Sequence, residues 1–223
     1  MISVVIRTKN EEQWIGRCLA GVKAQSVRDV EIIVVDNQST DSTLGIAEWH
    51  GCKIINIGDD KFTFGRALNW GIDAAAGEYI AIISGHCVPT DDRWLSAFHS
   101  CFEDRSIAGA YGRQEPLPDT SPNDKRDLWT TFGIEPKIQK VDYFFHNANS
   151  MIVKDIWEKL PFDEEIQGVE DRDWAKKVLG LGYKIAYQPL ASVYHFHGIH
   201  HDGNPERSQR VARVIESIGM RGA

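Results

Sequence analysis

The chain has 223 residues, with 25 Lys and Arg against 32 Asp and Glu, for a formal charge of −7. That length fits one large domain, and the acidic balance opposes bulk electrostatic binding of nucleic acid. With 42% hydrophobic and 26% charged residues the chain is too apolar for disorder, and no apolar run reaches the roughly 18–20 residues that cross a bilayer.

Up to residue 102, strand and helix signals alternate. Residues 2–8 form a β-branched strand signal, and Asn10 is a candidate N-cap for the helix in which Trp14, Ile15, Cys18, Leu19 and Val22 recur at helical spacing. Residues 31–36 read as a buried strand. Ser39 or Thr40 is placed to cap a helix running to about Trp49, with Asp41 in its first turn. A third strand follows at 53–57. Ala67, Leu68, Gly71, Ile72 and Ala75 then make a helical stripe that Gly77 would close as a C-cap. Residues 79–84 predict a fourth strand, and Trp94, Leu95, Phe98, Cys101 and Phe102 one face of a helix. This alternation predicts βαβ units and an α/β fold with a central, mostly parallel, mixed sheet flanked by helices.

After Tyr111 the rhythm breaks. The segment 114–140 holds Pro116, Pro118, Pro122 and Pro136 and predicts a long irregular stretch. A strand-like stretch at 141–153, a helix near 155–160, a helix over 170–181 and a strand over 183–194 complete the pattern. In the tail, 205–218, Val211, Val214, Ile215 and Ile218 share one side of an amphipathic helix, and the segment is locally basic. Such a helix packs on its own domain, pairs two copies in a homodimer, or touches an anionic membrane surface.

The four cysteines, Cys18, Cys52, Cys87 and Cys101, form no CxxC pair, and MISVVIRTKN lacks a signal peptide's basic and apolar regions. Both features predict a cytoplasmic protein, at most peripheral at the inner face of the membrane. In open α/β sheets ligands bind beyond the carboxyl ends of parallel strands. That singles out Thr8 and Asn10, Asp36 and Asn37, and Ser84, Gly85 and His86. For 36–41 the plain alternative is a turn and helix cap. Neither GxGxxG nor a Walker A loop is present, which disfavours dinucleotide dehydrogenases and P-loop NTPases. The second half supplies Asp163, Glu164, Glu165, Glu170, Asp171 and Asp173. Acids at a helix start either complement its dipole or serve as a general base, and burial against dipole decides their pKa.

These residues carry a resemblance. VVIRTKNEEQWIGRCLAGVKAQSVRDVEIIVVDNQSTDST resembles the opening of family 2 glycosyltransferases, and FDEEIQGVEDRDWAKKVLGLGYKIAYQPLASVYH resembles their second half. GRALNWGIDAAAGEYIAIIS joins the two. The resemblance implies a single GT-A (Rossmann-like) domain over 1–223. Within it, 1–113 would bind a nucleotide sugar, 114–204 the acceptor, and 205–223 would form a C-terminal helix. It implies an inverting transfer of sugar to a hydroxyl of a glycan or lipid-linked glycan in bacterial surface polysaccharide (capsule) synthesis. Thr8, Asp36 and Asn37 would hold the nucleotide, with Arg66 and Asn69 near its base or phosphates. Asp171 would deprotonate the acceptor, supported by Glu170. The alternative is a catalytically silent nucleotide- or glycan-binding module.

The family usually keeps an Asp-x-Asp at the end of the 79–84 strand to hold a metal. Here Ser84 and His86 stand in place of both carboxylates. ISGHCVPTDDRWL locally resembles the Asp-x-His-Cys region of polypeptide N-acetylgalactosaminyltransferases, in which the His and a second, downstream His bind metal. Of four histidines within seven residues (His195, His197, His200 and His201), His195 and His197 lie two apart on a predicted strand end. A site of His86 with His195 or His197 would suit Mn²⁺ better than Mg²⁺. A metal-independent reaction, with His86 or Arg66 on the phosphate, stays open, as do UDP- and CMP-sugars as donors. On the acceptor side, Trp129, Phe132 and Tyr143–Phe145 offer faces for sugars or ordinary packing, and Asn147 and Asn149 offer amides for acceptor hydroxyls or turns.

Overall fold

The computed structural model describes residues 1–58, 62–166, 168–198 and 213. The predicted tail helix, apart from Arg213, and His200 and His201 lie outside the described residues.

The N-terminal half is built on parallel strands. β1 (Ile2–Thr8) lies between β2 (Val30–Asp36) and β4 (Tyr79–Ser84), and β3 (Lys53–Asn56) extends the sheet beyond β2. Helices α1 (Ile15–Lys23), α2 (Thr43–Trp49) and α3 (Phe64–Asp73) connect them. The strand side chains alternate between two cores. Val4, Ile6, Val34, Ala81 and Ile83 pack with Ile15, Leu19 and Ala47 on one face. Val5, Ile33, Val35, Ile80 and Ile82 pack with Leu68 and Ile72 on the other. Burial on both faces explains why these strands read as continuous apolar runs.

The sheet continues through β8 (Asn149–Val153), β6 (Ile107–Pro116), β9 (Lys184–His195) and β5 (Cys87–Pro89), with β7 (Lys137–Gln139) paired to β9. β8, β5 and β7 run against the other six strands, so the sheet is mixed and mostly parallel, as predicted. Helices α4 (Trp94–Ser100), α5 (Pro122–Thr131), α6 (Lys154–Lys159) and α7 (Glu170–Gly180) complete the layers.

Several local expectations need correction. Asn10 does not cap α1, which begins after Trp14; it takes a left-handed φ of 54° between the two loops it joins. α2 begins later than predicted, at Thr43, because Ser39 and Thr40 are spent on loop contacts. Gly77 closes no helix. α3 ends at Asp73, and a Cβ at Gly77 would lie 2.6 Å from the Ser3 backbone nitrogen. The segment 114–140 is not wholly irregular: Ser121 accepts a bond from the Asp124 amide and Pro122 opens α5, an N-terminal signal that the surrounding prolines obscured. The 141–153 strand begins only at Asn149.

β6 escaped notice because Gly109, Ala110 and Gly112 interrupt its apolar pattern. Gly112 faces the point where β9 bulges between Gln188 and Val193, and a Cβ there would overlap the Ala191 carbonyl oxygen. Gly112→Ala should therefore lower stability by at least about 1–3 kcal/mol, measured as a shift in urea midpoint; an unchanged midpoint would show that β9 can yield.

Candidate functional site

The parallel register brings the strand-end groups side by side. Thr8 pairs with Asp36, and Arg7 with Ser84. Beyond the ladder, the Gly85 amide donates to the Arg7 carbonyl and the Asn37 amide to the Thr8 carbonyl. The Thr8 hydroxyl is buried without a hydrogen-bond partner, and a Cβ at Gly85 would lie 3.0 Å from it. Asp36 is fully buried, and both of its oxygens accept from Ser39, from the amide at 2.9 Å and the hydroxyl at 2.5 Å. Asn37 is half-buried beside it.

The two loops after β1 and β2 are laced together. The Asn10 amide donates to Ser39 Oγ and Asn10 Oδ1 accepts from the Thr40 amide. The Glu11 amide donates to Thr43 Oγ1, the Glu12 amide to Asp41, and the Ser42 amide to Glu12. Asn10 thus acts first as a fastener of the strand-end loops.

Arg66, in the first turn of α3, is half-buried and donates from Nε to Glu164 at 2.8 Å. Burial pushes the Glu164 carboxyl up, but the bonds from Arg66 and Asn69 outweigh it and hold it below its ordinary range. Asn69 requires a correction. Its amide donates to the Phe162 carbonyl and Glu164, while its oxygen accepts from Trp157 Nε1 and the Phe162 amide. It clamps α3 to the 157–164 segment and has no group left for a nucleotide.

Glu170 and Asp171 open α7. Asp171 Oδ2 accepts from the Asn147 amide at 3.1 Å and Oδ1 from the Arg172 amide at 2.8 Å. Asn147 is buried, its oxygen accepting from Ser150 Oγ and its side-chain amide facing the Glu170 carboxylate, whose pKa it helps to hold down. Arg7 Nη1 lies 3.8 Å from Glu170 Oε1, with the guanidinium over the Phe64 ring. Burial pushes both carboxyls up; Glu170 is raised further by the charge of Asp171 and held back by Arg7. At Glu170, which is only 3% exposed, burial outweighs the Arg7 charge and the hydrogen bonds that favour the ionised form. Arg7 was not singled out from the sequence. Its alternation with Thr8 along β1 was the available signal, since it turns the two side chains to opposite faces.

The three described candidate histidines come together. His86 Nε2 lies 3.1 Å from His195 Nε2, and those rings stack with centroids 5.1 Å apart. The His197 ring lies 4.8 Å from that of His86 and 4.4 Å from that of His195. His86 Nδ1 meets Glu11 Oε1 at 2.7 Å. His86, Cys87 and His195 offer ligand atoms within 4.8 Å of one another. Burial pushes the Cys87 thiol up, away from the thiolate that a metal takes. The two imidazoles do fit a metal: bonds of about 2.0–2.1 Å to one ion call for ligand nitrogens about 3 Å apart. Glu11 and Cys87 are further members that spacing alone did not reveal.

One acceptor candidate is corrected. Asn149 is fully buried, accepts from Trp94 Nε1 and donates to the Arg113 and Ala191 carbonyls. Its amide fastens β8 to β6 and β9. Trp129 is exposed on α5, where it lines a concavity of about 360 Å³ with Pro116, Pro189, Leu190 and Tyr194, next to His195.

The sequence profile described as glycosyl transferase family 2 matches residues 3–160. The chain belongs to glycosyl transferase family 2. Among relatives of this family 2 chain, the O-antigen chain rhamnosyltransferase WbaN of Salmonella anatum is 27% identical over 184 residues, covering 78% of this chain and 58% of the relative. Glycosyltransferase AglE of Haloferax volcanii is 27% identical over 198 residues, covering 83% and 64%. The chain thus spans roughly three-fifths of these relatives' length. In three dimensions it resembles S. aureus TarS 1-349 in complex with UDP, at TM-score 0.72 and 18% identity, covering 97% of this chain and 64% of that one. GalNAc-T7 with UDP, GalNAc and Mn²⁺ superposes at 0.71 and 18% identity, covering 96% and 48%. These likenesses establish the GT-A fold. No helix among the described residues is long and apolar enough to cross a membrane.

Because the folded-state pKa of Glu170 is raised, the native chain keeps a proton that the unfolded chain releases. Its contribution is therefore full below the ordinary Glu value of about 4.3 and is lost as pH rises through the raised value. Glu170→Gln should match the parent near pH 4 and exceed it near pH 8, by on the order of 1–3 kcal/mol in urea denaturation. Equal stability at both pH values would contradict the burial account.

Proposed function

We propose that this chain is an inverting glycosyltransferase that moves a sugar from a nucleotide donor to a hydroxyl of a glycan or lipid-linked glycan. The observation that carries the reading is the Glu170–Asp171 pair at the start of α7, with Glu170 buried, Asp171 half-buried, and Arg7 joining Glu170 to the strand ends. In this reading 1–113 forms the donor-binding half and 114–204 the acceptor half.

Asp171 is the general base. Its two oxygens are fixed by backbone amides of Asn147 and Arg172, leaving lone pairs for an acceptor hydroxyl. As the acceptor oxygen bonds to the anomeric carbon, its proton passes to Asp171. The carbon–oxygen bond to the leaving phosphate breaks with its electron pair on the phosphate oxygen, and the configuration inverts. The raised pKa makes Asp171 a stronger base, and Glu170, raised still further by its neighbour, is suited to hold the pair's shared proton. A hydroxyl is a weak nucleophile, so this contact contributes on the order of 10²–10⁴ in rate.

Thr8, Asp36, Asn37 and Gly85 form the nucleotide side, with Arg66 and Ser84 at its margin. His86, His195 and His197 would hold a divalent ion, Mn²⁺ in preference to Mg²⁺. When bound, that ion neutralises charge on the departing phosphate. The neighbours solved with UDP, with UDP-GlcNAc and with GDP-Man and Mn²⁺ support a nucleotide sugar without choosing its base. The rhamnosyltransferases of O-antigen chains among the relatives support a surface polysaccharide as the product.

The loss of both aspartates at Ser84 and His86 favours one second reading, a silent nucleotide- or glycan-binding module. Asp171→Asn separates the two. Transfer or donor hydrolysis across a panel of sugar nucleotides should fall on the order of 10²–10⁴-fold while nucleotide affinity stays within a few-fold. A parent protein that turns over no donor yet binds nucleotide would favour the silent module.

A further inference from the structure

We propose that Glu11 is a positioning residue for the histidine site: its carboxylate holds His86 in the tautomer that presents Nε2 as a metal ligand. The proposal rests on the metal reading above and assigns a role to a residue outside it.

The geometry runs in one direction. An ionised carboxylate accepts hydrogen bonds and donates none, so the 2.7 Å contact between Glu11 Oε1 and His86 Nδ1 places the ring proton on Nδ1. In the neutral ring the other nitrogen, Nε2, then carries the lone pair. That nitrogen is the one facing His195 Nε2, at 3.1 Å. Glu11 therefore acts through the ring, from the side away from the second imidazole. A ligand histidine whose second nitrogen donates to a carboxylate is both oriented and made more basic.

Glu11 itself is held firmly enough to do this. Its amide donates to Thr43 Oγ1 at 2.7 Å, and its carbonyl accepts from the Trp14 and Ile15 amides at the start of α1. The Glu11 and His86 side chains are 20% and 21% exposed, so their contact is partly shielded from water. The neighbouring Glu12 is bonded to Asp41 and Ser42. The lock on His86 therefore belongs to the same laced pair of loops that carries Asp36.

The test uses the untagged, metal-stripped full chain titrated with Co²⁺, followed by its visible absorption, and with Mn²⁺, followed by the EPR signal of free ion. Glu11→Ala should weaken binding by about 10–100-fold. Glu11→Gln should recover most of it, since the amide oxygen still accepts from Nδ1–H. Circular dichroism should show the parent fold in both variants. In metal-free protein, the ¹⁵N shifts of His86 should report the Nδ1–H tautomer, which Glu11→Ala should lose. If Glu11→Ala binds as tightly as the parent while His86→Ala does not bind, the role of Glu11 is overturned and the metal reading stands. If the parent binds neither ion, or if His86→Ala and His195→Ala bind as well as it does, the metal reading falls and this proposal falls with it.

Discussion

The structure depends on one constraint, the parallel pairing of β1 between β2 and β4. A parallel ladder fixes which residues finish level with one another, and here Thr8 finishes beside Asp36 and Arg7 beside Ser84. The ladder bonds continue one step past the strands, into the Asn37 and Gly85 amides, so the turns inherit the strands' order. The apolar runs that bury both faces of these strands are therefore what position the polar groups at their ends. Slipping β1 by one residue would turn Thr8 to the wrong face and carry Arg7 away from Glu170.

Two opposed electrostatic effects meet at the other side of the site. A helix start favours negative charge, and a buried environment disfavours it. Burial prevails at Glu170 and Asp171, and Arg7 limits the excess without cancelling it. The arrangement stores an unfavourable carboxylate where a base is useful, and the surrounding cores sustain it. Asn147, whose backbone amide bonds Asp171, lies two residues before the Asn149 that starts the pairing of β8 with β4, so the carboxylate pair and the strand ends share one frame.

Much of the frame was legible because its signals are local and strong. Continuous β-branched runs gave β1 to β4, and helical spacing gave the buried faces of α1, α3 and α4. β6 was hidden because glycines do its packing, and α5 because its capping Ser-Pro lay among other prolines. The strand-end residues followed from topology alone. Residue type could not separate Asn147, beside the carboxylate pair, from Asn149, whose amide is consumed by Trp94 and two carbonyls. Asn69 misled for the same reason. Arg7 and Glu11 were missed because their meaning lies in long-range partners, at Glu170 and His86.

In the proposed reading, the histidine surplus in the composition replaces the carboxylates that would hold a metal. Ser84 and His86 leave no acid at the end of β4, and the imidazoles of His195 and His197 gather there instead. The central claim is that a nucleotide sugar binds at these strand ends with help from that cluster. The most direct measurement is a thermal-shift screen of UDP, CMP, GDP and dTDP, each with Mn²⁺ and with EDTA. The account predicts that one nucleotide raises the melting temperature with Mn²⁺ and that both EDTA and His86→Ala remove the shift. A nucleotide-specific shift of equal size in EDTA, or no shift with any of the four, would contradict it.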